Sequence, residues 1–128
     1  MKNLILFLFT ISTFSLFSQA KLEIKNNSGR YMTMKIMKGY GSGSLYKTVN
    51  VSAYDTRVVY FSYTDDYYTK TKASLLGKDP VYEKGEPFRV VNDDTGYSVI
   101  TLEFSITESN IANVIGGKRI SKAEFDQD

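Results

Sequence analysis

Val99-Ile100-Thr101-Leu102-Glu103-Phe104-Ser105-Ile106-Thr107 alternates side chains without a break. A period of two sets Ile100, Leu102, Phe104 and Ile106 on one face and Val99, Thr101, Glu103, Ser105 and Thr107 on the other, which is the pattern of a half-buried strand. The run before it, Asn92-Asp93-Asp94-Thr95-Gly96, is made of residues that tolerate tight turns. Earlier segments repeat the theme. Leu22 and Ile24 alternate with Lys21, Glu23 and Lys25, and Asn26-Asn27-Ser28-Gly29 breaks the run. Met32, Met34 and Ile36 share one face, with Tyr31, Thr33 and Lys35 opposite. Val49 and Val51 mark a third strand, and Val59, Phe61 and Tyr63 a fourth. Thr64-Asp65-Asp66 reads as a hairpin turn into Tyr67–Ala73, and Phe88 and Val90 follow a long connection through Pro80 and Pro87.

Seven strands at intervals of roughly ten residues, with no helical period between them, predict an all-β fold. Each strand has one apolar face to bury, so an antiparallel two-sheet sandwich with Ig-like topology is expected, a small closed barrel being the chief competitor. The Cys…Trp…Cys core of antibody domains is absent. At the C-terminus, Gly116-Gly117 suits a tight hairpin turn. Ser121-Lys122-Ala123-Glu124 fits a capping box, in which the Ser hydroxyl accepts the N3 amide and the Glu carboxylate reaches back. Such a helix has one or two turns and needs something to dock on.

The N-terminus reads as a secretory signal. Met1-Lys2-Asn3 is a short basic start, Leu4 to Phe17 is an apolar run, and Ser18-Gln19-Ala20 supplies a small-x-small cleavage pattern. The run is too short to span a bilayer. The expected division is therefore residues 1–20 as a cleaved leader, 21–108 as the sandwich and 109–128 as a C-terminal appendage. Removing the leader leaves 108 of the 128 residues and lowers the formal charge from +2 to +1. That near-neutral balance predicts neither nucleic acid nor anionic lipid as a partner, and with the short apolar run removed no transmembrane segment is expected in the mature chain. With no Cys in an exported chain, core burial has to supply the stability that disulfides give elsewhere.

Chemistry is bounded tightly. With no His and no Cys there is no Ser-His-Asp relay, thiol nucleophile or His- or thiolate-based metal site. The carboxylate groups Asp65-Asp66, Asp93-Asp94 and Asp79, Glu83 and Glu86 suit acid/base work, but paired Asp beside Thr, Tyr or Gly commonly cap turn amides. Asn92, Asp93 and Asp94 lack the spacing of an EF-hand loop. The loop Gly39–Ser44 lacks the Gly-Lys-Ser/Thr ending of a P-loop. No catalytic, cofactor or metal residue is assigned, and the chain is expected not to be an enzyme.

All ten Tyr lie beyond the leader. Tyr combines rigid apolar area with a polar handle, which suits contact surfaces. Period two places Tyr60, Tyr68, Lys70, Lys72, Tyr31 and Tyr46 on outward faces, and Tyr40 at the tip of its Gly-rich loop. The expected protein contacts are Tyr40, Tyr68, Lys70 and Lys72, with Arg119 and Phe125 on the tail. Phe125 either inserts into a partner groove or staples the tail to its own sandwich.

The stretches Tyr67–Ala73, Asp79–Phe88 and Gly96-Tyr97-Ser98, with the leader ending Phe17-Ser18-Gln19-Ala20, resemble small exported β-sandwich proteins of unknown function from Bacteroidota. The resemblance implies an envelope location and carries over no active or ligand residue. The expected function is a non-enzymatic accessory domain in the periplasm, docking onto a larger envelope assembly and associated with the outer membrane only through that partner. The alternative is a stand-alone glycan- or calcium-binding module.

Overall fold

The computed structural model describes residues 19–40, 43–106 and 117–128. Residues 1–18 of the expected leader, residues 41–42 of the Gly-rich loop and the stretch 107–116, with the first Gly of the expected Gly116-Gly117 turn, lie outside the described residues. Among the described residues are eleven strands and one short helix: β1 (Ala20–Asn26), β2 (Tyr31–Gly39), β3 (Gly43–Val51), β4 (Thr56–Phe61), β5 (Asp65–Ser74), β6 (Val81–Gly85), β7 (Phe88–Val90), β8 (Asn92–Asp93), β9 (Gly96–Tyr97), β10 (Val99–Phe104), β11 (Gly117–Arg119) and α1 (Lys122–Asp126).

The strands form an all-β sandwich. One sheet has the order β10-β1-β4. The other runs β11-β6-β5-β2-β3, with β7 also pairing β5, and β8-β9 is a separate small hairpin. Alternation drives this layering. Leu22, Ile24, Val59, Phe61 and Phe104 from the smaller sheet meet Met32, Met34, Ile36, Tyr67, Ala73, Val81 and Val90 from the larger in one core. Leu102 and Ile100 of β10 pack against that core, as their spacing predicts.

Three details depart from the sequence reading. First, β1 pairs β10 in parallel, Lys21 opposite Val99 through Asn26 opposite Phe104. The long intervening chain supplies the crossover that parallel neighbours require. Second, Asp65-Asp66 opens β5 and is no hairpin turn. β4 lies in the small sheet and β5 in the large one, so Ser62-Tyr63-Thr64 carries the chain between layers. Third, more strands form than the seven expected, and β6 is the substantial addition. Its core-facing positions are Val81, Glu83 and Gly85, paired with the β5 face of Ala73 and Thr71, and only one of the three is apolar. β6 and β7 run along the same edge of β5, β6 beside Lys70–Ala73 and β7 beside Asp65–Tyr67. They are one strand interrupted at Glu86-Pro87, where proline has no amide to donate.

Two buried polar residues fasten the end of the sandwich around Asn26. The Asn26 amide Nδ2 donates to the carbonyls of Arg30 (2.7 Å), Val51 (3.2 Å) and Ser52 (3.1 Å), while Oδ1 accepts from the Ser28 amide (3.0 Å) and hydroxyl (2.7 Å). Arg30 is fully buried, and its Nη1 donates to the carbonyls of Ala73 (3.1 Å) and Asp79 (2.9 Å), tying β5 to the β5–β6 connection. Ala20, the last residue of the expected leader, is buried at the start of β1 opposite Phe61. Among the described residues no helix is long and apolar enough to cross a membrane.

Candidate functional site

Register places the loops β2–β3, β4–β5 and β8–β9 at the same end of the sandwich. Each brings exposed tyrosine there. Tyr63 is 79% exposed and Tyr40 73%, and Tyr60 and Tyr97 also project into solvent. Beneath them lies an aromatic floor. Tyr46 stacks on Phe61 with centroids 5.4 Å apart and planes at 14°, and both meet Tyr67, at 5.2 and 4.8 Å. Phe88 continues the floor at 6.2 Å from Tyr67. Burial pushes the Tyr67 hydroxyl up to about 12, so it stays neutral.

The inward turn of Tyr46 corrects its expected outward position. The β2–β3 register shifts between Ile36, opposite Lys47, and Met37, opposite Leu45, so Tyr46 is an extra residue in a β-bulge. The bulge breaks the period of two and re-aims the ring.

Polar bonds hold these loops. The Tyr40 hydroxyl donates to Asp66 Oδ2 at 2.6 Å, and Arg89 Nη1 donates to both Asp66 oxygens, at 3.3 and 3.1 Å. The hydrogen bond to Asp66, then the Asp66 charge, raises the Tyr40 hydroxyl above the usual phenol range. Lys38 approaches Asp65 (3.9 Å) and lies over the Tyr46 ring (5.7 Å). The Asn92 amide N–H donates to Thr64 Oγ1 (2.7 Å) and its Nδ2 to the Phe61 carbonyl (3.0 Å), joining the hairpin to the β4–β5 connection. Asp93 Oδ1 accepts from the Thr95 amide (2.8 Å) and hydroxyl (2.5 Å), which lowers its pKa. That carboxylate caps its turn, and among the described residues no group of three or more Asp or Glu is placed to hold a metal ion.

The remaining expected contact residues go elsewhere. Tyr68 and Lys70 do face away from the core, but both are buried, Lys70 to 3% exposure, under α1. The Ser121 hydroxyl accepts the Glu124 amide at 3.1 Å, which is one half of the expected capping box. The Glu124 carboxylate turns instead to Lys84 (3.6 Å). Phe125 is buried against Tyr82, centroids 5.4 Å apart, with Lys35 Nζ 4.7 Å from its ring centre. Lys70 Nζ donates to the carbonyls of Glu124 (2.9 Å) and Gln127, and Lys35 Nζ to the Phe125 carbonyl (3.0 Å). Two lysines thus satisfy carbonyls at the C-terminal end of α1, where the helix dipole favours positive charge. Burial, then Lys35, lowers the Lys70 pKa. Lys72 is half-buried on the same face, and Arg119 is exposed on β11 opposite Glu83. Of the six expected contacts, Tyr40 alone belongs to the tyrosine-bearing end.

The sequence reading missed the convergence of Tyr60, Tyr63 and Tyr97 with Tyr40. The available signal was Tyr recurring in or beside Gly-, Ser-, Asn- and Asp-rich segments. Comparison with protein-family models, characterised proteins and solved structures finds no match to this chain, so the Ig-like strand order expected from the sequence gains no support from a structural neighbour.

Proposed function

We propose that the chain is an exported, non-enzymatic binding domain of the cell envelope that grips another protein with its tyrosine-bearing end. The convergence of Tyr40, Tyr60, Tyr63 and Tyr97 on one end of the sandwich carries the reading. These rings offer amphipathic area with few rotatable bonds, and Ser62, Thr64, Asn92 and Thr95 beside them supply adaptable hydrogen bonding, the composition that antibody loops use. The tail plays no part in this contact, because Phe125 and Lys70 are spent on each other's elements.

The test is a cross-linking pull-down of a tagged copy from the envelope, beside the triple variant Tyr40→Ser, Tyr63→Ser, Tyr97→Ser and the single variant Phe125→Ala. A stoichiometric partner retained by the Phe125 variant and lost by the triple variant supports the reading. A partner held equally by the triple variant moves the contact elsewhere, and the absence of any partner overturns the binding-domain proposal.

A further inference from the structure

The break between β6 and β7 opens a slot of about 250 Å³ between the two sheets. Its walls include Met34, Phe88, Leu102 and Phe104, apolar side chains from β2, β7 and β10. Glu83 also lines it. That residue is only 7% exposed, and its Oε2 is sealed from solvent and meets no hydrogen-bond donor among the described residues. Gly85 lines the slot beside it, and a side chain there would run into the Thr69 hydroxyl, since a Cβ would lie 2.6 Å from Oγ1. The absence of one leaves Thr69 and Thr71 facing the same space.

The charges are one-sided. Glu83, Glu86 and Glu103 all line the slot, and no Lys or Arg is among its described walls. Arg119, opposite Glu83 on β11, favours the ionised acid, but burial outweighs it and pushes the Glu83 carboxyl up to about 7. A buried carboxyl oxygen without a donor is costly, and a charge-assisted hydrogen bond is the interaction that relieves it most. We infer that the slot binds an alkylammonium group, with Glu83 as its counter-ion and the apolar walls around its hydrocarbon chain. An ammonium brings three N–H donors, which match the hydroxyls of Thr69 and Thr71 and the Glu83 carboxylate once it turns its sealed oxygen into the slot. Carboxylate and phosphate ligands meet three acidic side chains and are repelled. The volume lies just under the roughly 300–1,000 Å³ of sites for drug-sized ligands, so the ligand is small. This site stands apart from the tyrosine-bearing end, and neither reading depends on the other.

The probes are n-hexylamine, hexan-1-ol, hexanoate and Nα-acetyl-lysine amide, titrated at pH 8 into the exported chain while amide chemical shifts are followed. Hexylamine is expected to shift Thr69, Thr71, Glu83 and Leu102 saturably and to bind at least tenfold tighter than hexanol, with no response to hexanoate. Glu83→Gln should weaken the amine at least tenfold and leave the alcohol unchanged. Acetyl-lysine amide binding tighter than hexylamine keeps the ammonium site and makes a polypeptide lysine its source, while the reverse order makes it a free amine. The absence of any saturable shift, an amine no tighter than the alcohol, or an amine affinity unchanged in Glu83→Gln overturns the inference. The comparison of amine with alcohol on the unaltered chain decides the matter even where the variant folds poorly.

Discussion

Asn26 shows how much one side chain carries here. Its amide joins the end of β1 to the carbonyls of Arg30, Val51 and Ser52, and Asn26, Arg30 and Val51 are buried. Asn26→Ala leaves several sealed polar groups without partners and should cost about 2–3 kcal/mol in chemical denaturation, with the slope unchanged. Glu83 works in the opposite direction. Its folded pKa of about 7 lies above the ordinary carboxyl value of 4.5, so between those values the unfolded chain holds fewer protons than the folded one. The Glu83 contribution to stability should therefore be greatest below about pH 4.5 and fall as pH rises to about 7. Glu83→Gln should flatten that part of the profile and stabilise the chain at pH 8 by about 1 kcal/mol, as read by melts across pH. A variant that keeps the wild-type slope would mean that another group sets it. The same residue explains why β6 was invisible in the sequence: an inward Glu and an inward Gly erase the apolar alternation that marks a strand.

At the scale of elements, α1 is too short to hold itself and is stable only where it lands. Phe125 is its anchor on Tyr82, and Lys35 and Lys70 receive its final carbonyls. Phe125→Ala should cost about 3 kcal/mol and release the helix. The double variant Lys35→Ala, Lys70→Ala should instead speed amide exchange mainly in residues 122–126, since the β5 ladder beneath keeps its backbone bonds. Uniform acceleration throughout β5 would show that the helix and the sheet open as one unit. The capping Ser121 was legible because a cap is written within four residues. The helix's resting place was not, because Lys70 and Glu124 meet across 54 positions of chain. Tyr46 makes the same point, since a single inserted residue in β3 reverses the face that its neighbours imply.

For the whole molecule, the binding proposal predicts that Tyr40→Ser, Tyr63→Ser and Tyr97→Ser together leave the melting temperature nearly unchanged while weakening a partner at least tenfold. A large loss of stability would mean that these exposed rings serve the fold. The export proposal predicts an intact mass that begins at Lys21, and an uncleaved chain in the cytoplasm would end it. Residue pattern alone determined the layered all-β architecture, the inward faces of β1, β2, β5 and β10, the capped tail and the poverty of catalytic groups. These follow from alternation, turn chemistry and composition, which act over a few residues. The tertiary structure decided which outward faces remain outward, which loops share an end, and where a carboxyl is stranded between sheets. Those outcomes depend on strand order, a bulge and an interrupted edge, and so on segments distant in the chain whose meeting no local period records.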